Sequence, residues 1–409
     1  MHLVRPCLCV ASLWMLAAAD VSAVRGADWE AEATKALAAA GENRPAIEAA
    51  LAQTPVDQRE GMTFLVANMP ESDLQTLSTK FLLENVRLAY EAWREAPWRE
   101  RVPPEVFLND VLPYANIDER RDDWRGDFRQ RFAPLIAGID DPGQAAAAIN
   151  RQLFGEVKVR YSTDRPKANQ SPYESIEAGR ASCTGLSILL IDACRALGIP
   201  ARFVGTPLWS DGSGNHSWVE VWDGEAWRFT GAAEATEDRL DEGWFVARAA
   251  TAKRDEPRHA IYAVRFEKSP QRFPMVWARR GKKQSQVYAV NVTDRYATLK
   301  RKRGEGETVV RFRAFDKPGG DRVAAQIKLM DEAGTIVAEG ATRDERFDSN
   351  DHFEAVVRAG ERWKVELQAE GETIDAVVEP HADEELFTYY LQGAANEGAE
   401  SKPAGAAAP

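Results

Sequence analysis

Two residue types in this 409-residue chain are scarce enough to be read one at a time: there are four Cys and five His. Cys7, Cys9 and His2 fall within Met1–Ala23, read below as an export signal. That leaves Cys183, Cys194, His216, His259, His352 and His381. The apolar spacing predicts a helix over 183–197 that carries both remaining thiols. At 1.5 Å per residue they stand ~16 Å apart, well beyond the ~7 Å Cα limit of a disulfide. Cys194 falls within the stripe of Leu186, Leu189, Leu190, Ala193 and Leu197, so it reads as a small core residue. Cys183 stands in the first turn, where unpaired N–H groups and the helix dipole favour an anion. That position favours the thiolate, the nucleophilic form. Its neighbours Gly179, Ala181, Ser182 and Gly185 are small, so a substrate backbone can approach.

A thiolate nucleophile needs a base within hydrogen-bond reach. His259 opens a strand pattern, His352 lies in an acidic loop and His381 precedes the tail. His216 follows the Gly-rich Ser210–Gly214 loop and starts an alternating strand through Trp222. The expectation is Cys183 as nucleophile and His216 as general base.

Two blocks extend this pairing. One is the end of the Cys183 helix, Ala196-Leu197-Gly198-Ile199-Pro200-Ala201-Arg202. The other is His216-Ser217-Trp218-Val219-Glu220-Val221, followed by a strand that begins at Trp227. Together they resemble the transglutaminase-like core, the papain-like fold of transglutaminases, peptide N-glycanases and many bacterial thiol hydrolases. The resemblance covers about residues 157–235. It implies the same roles for Cys183 and His216, and an Asp on the next strand to orient the imidazole. Gly231 stands about where that Asp would fall. A two-residue Asp223-Gly224 turn would pair Trp222 with Glu225 and set His216 opposite Gly231. A four-residue turn would pair His216 with Ala233 and bring Glu234 close, which makes Glu234 the expected third member. The resemblance also implies an oxyanion donor at the Cys183 backbone N–H, with Gln170 as the side-chain choice. Trp209 and Trp218 flank the His and are expected to line the substrate cleft. Glu220 shares the His216 face and reads as a packing or substrate contact.

The elements that must position these groups divide the chain into parts. Residues 24–155 are rich in Ala, Leu, Glu and Arg at helical spacing, with Pro55, Pro70, Pro103, Pro104 and Pro142 as punctuation. Helices are predicted near 28–40, 43–53, 57–68, 71–95, 104–113, 122–137 and 143–154. From Val157 the pattern turns to strands, at 157–161, 201–206, 216–222, 226–231, 259–267 and 285–292. Residues 156–292 form the transglutaminase-like core with a strand extension. Residues 293–382 alternate with turn signals, as a β-sandwich of about seven strands would, Ig-like or carboxypeptidase-regulatory-like. Residues 383–409 read as a short helix and a disordered tail. The fold class is therefore α+β: an N-terminal α-helical region, a papain-like core and a C-terminal β-sandwich.

Composition bounds the function. Lys plus Arg total 52 against 64 Asp plus Glu, a net charge of −12, which argues against bulk binding to nucleic acid or an anionic membrane. The basic clusters Arg279–Lys283 and Lys300–Arg303 read as solvated turns. Arg5, the apolar run Cys7–Ala19 and the small residues Val21-Ser22-Ala23 resemble a cleavable secretory signal, too short for a span of ~20 residues. The mature chain is thus expected to be periplasmic or extracellular, without a membrane span. No C-x-x-C, H-x-x-x-H or nucleotide loop is present, so no metal or cofactor is expected. Two functions fit. The first is an exported thiol-dependent acyl-transfer enzyme acting on amide bonds of a peptide or protein substrate, by hydrolysis in preference to cross-linking. The second is a retired core that binds peptide or polysaccharide.

Overall fold

The computed structural model describes residues 29–234, 237–275, 286–299, 304–392 and 402–403. The segment expected to be an export signal, both basic clusters and the tail from Gly393, apart from residues 402–403, lie outside the described residues.

Residues 29–39 are helical, and helices follow at Arg44–Gln53, Arg59–Asn68, Glu71–Leu74, Thr79–Glu95, Pro104–Asp110, Arg125–Phe132 and Pro142–Val157. The single helix expected over 71–95 is two. Ser78 is extended and its hydroxyl accepts the Phe81 N–H at 3.2 Å, which starts a fresh helix at Thr79. The strand expected from Val157 begins later. Val157 is the last residue of its helix, and Lys158 turns the chain in the left-handed region at φ 57°. Only β1 (Arg160–Tyr161) is extended, and it pairs in parallel with β2 (Arg180–Ala181).

The Cys183–Ala196 helix comes next, then β3 (Ala201–Thr206), β4 (His216–Trp222), β5 (Trp227–Thr230), β6 (Tyr262–Arg265) and β7 (Tyr288–Asn291). These strands form one antiparallel sheet in the order β5-β4-β3-β6-β7. Strand β4 is buried on both faces. Val219 and Val221 join a cluster shared with the Cys183 helix, while Trp218 packs with Phe229, Phe245 and Tyr296 on the other side. The first of these clusters runs without a break from Ala33 to Ala289, so helical region and sheet share one hydrophobic core.

Buried polar groups fix the Cys183 helix inside that core. Arg125 is 2% exposed, and its guanidinium donates to Asn85 Oδ1 and to the carbonyls of Val111, Leu112, Pro113 and Arg195. Burial lowers its pKa to about 9. Arg195 donates from the helix to the Asp110, Ala115 and Ala201 carbonyls. At the far end Gly198 adopts φ +73°, and an added Cβ there would stand 2.6 Å from the Ala92 carbonyl oxygen. Only glycine fits that stop.

Residues from Glu307 onward form β8 (Glu307–Phe315), β9 (Arg322–Val323), β10 (Gln326–Met330), β11 (Ile336–Ala341), β12 (Phe353–Arg358), β13 (Trp363–Ala369), β14 (Glu372–Val378), β15 (Glu384–Tyr390) and β16 (Lys402–Pro403). One sheet has the order β11-β10-β13-β14. The other has β12-β8-β15-β16, with β9 on β8. Side chains from both sheets, among them Phe312, Leu329, Val365 and Phe387, join a single buried cluster. The short helix expected after 383 is instead strand β15, parallel to β8. Phe387 and Tyr389 sit two apart on its buried face, so period-two burial decides that segment.

Candidate active site

Cys183 is the first residue of its helix. Ser182 caps that helix, its hydroxyl accepting the Gly185 N–H at 3.3 Å and donating to the Ala168 carbonyl at 2.8 Å. A Cβ on Gly185 would lie 2.9 Å from Ala181 Cβ, so the small residues here serve close packing beneath the thiol. One residue further on, the Thr184 and Ser217 hydroxyls lie 3.1 Å apart. That contact ties the start of the Cys183 helix to the start of β4, and so brings His216 beside Cys183. Cys183 is partly exposed and unbridged; Cys194 is buried and equally free. Burial pushes the Cys194 thiol up to about 12, which leaves it inert.

His216 is 1% exposed. Trp209 and Trp218 stack at 6.2 Å and 5.8 Å from its ring, and Trp244 and Phe245 lie at 4.7 Å and 5.0 Å. Trp209 and Trp218 are themselves 1% and 0% exposed, so they clasp the imidazole from within and line no open cleft. Trp218 also donates to the Tyr296 hydroxyl at 2.7 Å. Glu220 is fully buried as well. It accepts from Arg202 at 2.8 Å and 2.6 Å, from the Tyr296 hydroxyl at 2.9 Å and from Arg295. Its carboxylate is anchored by these cations and is out of a substrate's reach.

Between β4 and β5 the pairing of Trp222 with Trp227 shows the four-residue turn. Regular pairing stops at Val219↔Thr230. Beyond it, Asn150 clamps the chain, its Nδ2 donating to Thr230 Oγ1 at 2.9 Å and the Gly231 carbonyl at 2.8 Å. Its Oδ1 accepts the Ala233 N–H at 3.0 Å. Ala233 takes φ 65°, and Glu234 turns back so that its Oε2 lies 3.8 Å from His216 Nε2. A Cβ on Gly231 would overlap the Glu234 carboxylate and stand 2.9 Å from its Cβ. The glycine where the resemblance leads one to seek an Asp thus vacates the space that Glu234 fills.

Residues 129–232 match the family model of the transglutaminase-like superfamily. This segment is a transglutaminase-like core. Among solved structures, similarity extends to a protein from Cytophaga hutchinsonii provisionally called a cysteine protease, at 20% identity over 27% of this chain and 38% of that one, with a TM-score of 0.24. It extends also to red sea bream transglutaminase, at 11% identity over 70% of this chain and 66% of that one, with a TM-score of 0.29. The chain therefore spans about two fifths and two thirds of these relatives. No curated protein matches.

A second carboxylate reaches the transglutaminase-like core from outside it. The loop between β11 and β12, residues 342–352, carries Asp348, whose Oδ2 lies 3.4 Å from His216 Nδ1. The Cys183 sulfur, a His216 nitrogen and an Asp348 oxygen all fall within 4.8 Å of one another. Arg322, 7% exposed, braces the loop by donating to the carbonyls of Asp344, Phe347, Asp348 and Asp351. Asn350 N–H and Nδ2 donate to Asp348 Oδ1 at 2.9 Å and 3.0 Å, and Asn350 Nδ2 also donates to the Asn215 carbonyl. The Tyr161 hydroxyl accepts the Ser349 N–H at 3.0 Å. Sequence reading missed Asn150 and Asp348, which lie well before and far after Cys183 in the chain. The acidic Asp344–Asp351 loop is the only signal that pointed toward the latter.

The electrostatics follow from this enclosure. Burial alone would depress His216, but the Glu234 and Asp348 carboxylates overrule it and hold the imidazolium well above its usual pKa. Burial raises Glu234 to about 7, against the pull of His216. Asp348 is buried too, yet His216 and the Asn350 donors hold its carboxyl below the usual range. Gln170 lies nearby but is occupied. Its Nε2 donates to the Arg180 carbonyl at 3.0 Å and the Glu174 carbonyl at 3.3 Å, so both amide hydrogens bind backbone. The arrangement therefore directs no Gln170 hydrogen at an oxyanion.

Proposed function

We propose that this chain is an exported thiol-dependent acyl-transfer enzyme that cleaves amide bonds of peptides or proteins. The observation that carries the reading is a part-exposed thiol at a helix N-terminus beside a buried imidazole flanked by carboxylates. In this mechanism His216 accepts the thiol proton, and the Cys183 sulfur attacks the amide carbon to give a tetrahedral oxyanion. The Cys183 backbone N–H at the helix N-terminus is the donor for that developing charge. His216 then protonates the leaving amine, and a thioester forms. Water attacks the thioester carbon, passes a proton through His216, and releases acid and thiol. Glu234 orients the imidazole from Nε2. Hydrolysis is favoured over cross-linking because water is abundant and nothing marks an amine pocket. The Met1–Ala23 segment supports export to the periplasm or outside. The two sheets after residue 306, sharing one buried cluster, support a β-sandwich there.

The test is a peptide-amide library with wild type and Cys183→Ala. Turnover and labelling by a thiol-reactive substrate mimic are expected in the wild type alone; full activity in Cys183→Ala sinks the proposal. The enclosure of His216 and the intrusion of Asp348 favour a second reading, a retired core that binds peptide or polysaccharide. An unactivated thiol, unlabelled at acidic pH, would select it.

A further inference from the structure

Cys183, His216 and Asp348 come from a helix, a strand and a loop that lie far apart in the chain, and their side-chain ends converge within 4.8 Å. An ordinary thiol triad puts its carboxylate on the imidazole nitrogen that faces away from the sulfur. Glu234 already stands near Nε2. Asp348 stands at Nδ1, and one of its oxygens lies within 4.8 Å of the sulfur as well. At 3.4 Å the contact between Nδ1 and Oδ2 is longer than an ordinary N–H···O hydrogen bond, and neither ring nitrogen of this buried His has a partner of good hydrogen-bond geometry. That separation is, however, the spacing of two ligands around one tetrahedral ion. Bonds of about 2.0–2.3 Å put ligand atoms roughly 3.3–3.8 Å apart.

The surroundings have the form of an outer shell. A metal-bound His usually turns its other nitrogen to a carboxylate, and Nε2 faces Glu234 Oε2. A metal-bound carboxylate is usually held by its remaining oxygen, and Asp348 Oδ1 accepts two bonds from Asn350. Arg322 fixes the backbone that presents Asp348. One thiolate, one imidazole and one carboxylate suit a borderline-soft cation of the zinc class, and exclude magnesium or calcium, which take oxygen cages.

We propose that Cys183, His216 and Asp348 form a three-ligand site for a zinc-class divalent cation that latches the 342–352 loop over the core and silences the thiol. Binding displaces the Cys183 thiol proton and the His216 imidazolium proton to solvent and forms metal–sulfur and metal–nitrogen bonds, so the sulfur lone pair is no longer free to attack. The silencing rests on the chemistry proposed above; the binding does not.

The full chain, stripped with a chelator, would be titrated with Zn²⁺ against a chromophoric competitor. The expected result is one equivalent bound at sub-micromolar affinity. Asp348→Asn and His216→Gln should each weaken it by roughly tenfold or more, and Asp351→Asn, in the same loop, should leave it unchanged. In parallel, iodoacetamide alkylation of Cys183 would be followed by mass spectrometry. One equivalent of Zn²⁺ should protect Cys183 in the wild type but not in Asp348→Asn, with unchanged melting of the variant as the folding control. Absence of stoichiometric binding, or equal affinity in Asp348→Asn, overturns the site. Faster alkylation of metal-free Asp348→Asn without any Zn²⁺ binding would also overturn it, by showing a plain carboxylate plug. Zn²⁺ binding in a protein whose metal-free form turns over no amide leaves the site standing and refutes only the enzymatic reading.

Discussion

Replacing Arg322 by Met should release the loop that carries Asp348. The guanidinium is buried and donates to four loop carbonyls, at 3.1, 3.4, 2.7 and 2.6 Å from Asp348, Asp351, Asp344 and Phe347. Each bond contributes about 1 kcal/mol net once water competes for the freed carbonyl. The methionine stem recovers some packing, so the loop should lose about 2–4 kcal/mol. At ~1.4 kcal/mol per factor of ten, the fraction of chains with the loop displaced should rise by roughly 30- to 1,000-fold. Amide hydrogen exchange reads this directly. The Ser349 N–H, which donates to Tyr161, and the Asn350 N–H, which donates to Asp348 Oδ1, should exchange faster by that factor. Amides of the Cys183–Ala196 helix should keep their protection. Unchanged exchange at 349 and 350 in a folded Arg322→Met protein would refute the idea that this arginine presents Asp348.

Other perturbations probe separate parts of the molecule. Gly231→Ala should push Glu234 away from His216, because the new Cβ meets the Glu234 side chain; turnover should fall by roughly tenfold or more with little change in melting. Gly198→Ala places a Cβ 2.6 Å from the Ala92 carbonyl at φ +73°, and should cost about 2–4 kcal/mol in denaturant unfolding. Asp110 is buried, and burial raises its carboxyl from 3.8 to about 6 despite nearby Arg202. A carboxyl whose folded pKa is raised stabilises fully below its unfolded value, and that stability is lost as pH rises through about 6. Asp110→Asn should therefore match the wild type near pH 3.5 and exceed it by up to about 3 kcal/mol at pH 8; a pH-independent difference would refute the assignment.

Much of the core could be read from the sequence because its signals are local. Ser182 before the Cys183 helix, Gly198 and Pro200 after it, and the alternation from His216 each fix an element within a few residues. Where local signals conflict, the reading slips. Ser78 competes with the helical period of 71–95, and β15 carries a strand pattern in a segment read as a short helix before the tail. Trp209 and Trp218 have the right type and place for a cleft wall, yet Trp218 is covered by Phe245 and Tyr296, which pack from elsewhere, and Trp209 stacks on Trp218. Gln170 likewise has suitable donors, and only the fold reveals that the Glu174 and Arg180 carbonyls consume them.

The sequence by itself determined that one thiol stands at a helix start, that one histidine opens a strand after a Gly-rich loop, and that Glu234 comes close if the turn is long. Those are consequences of helix dipole, period and turn length, all written within a few residues. Tertiary structure alone decided what surrounds the pair. The Asn150 clamp that seats Glu234 comes from the helix before β1, and the Arg322-braced loop that carries Asp348 to His216 comes from the sheets beyond the core. Such long-range convergence leaves no period or spacing in the chain, because it is set by how the buried faces of separate elements pack together.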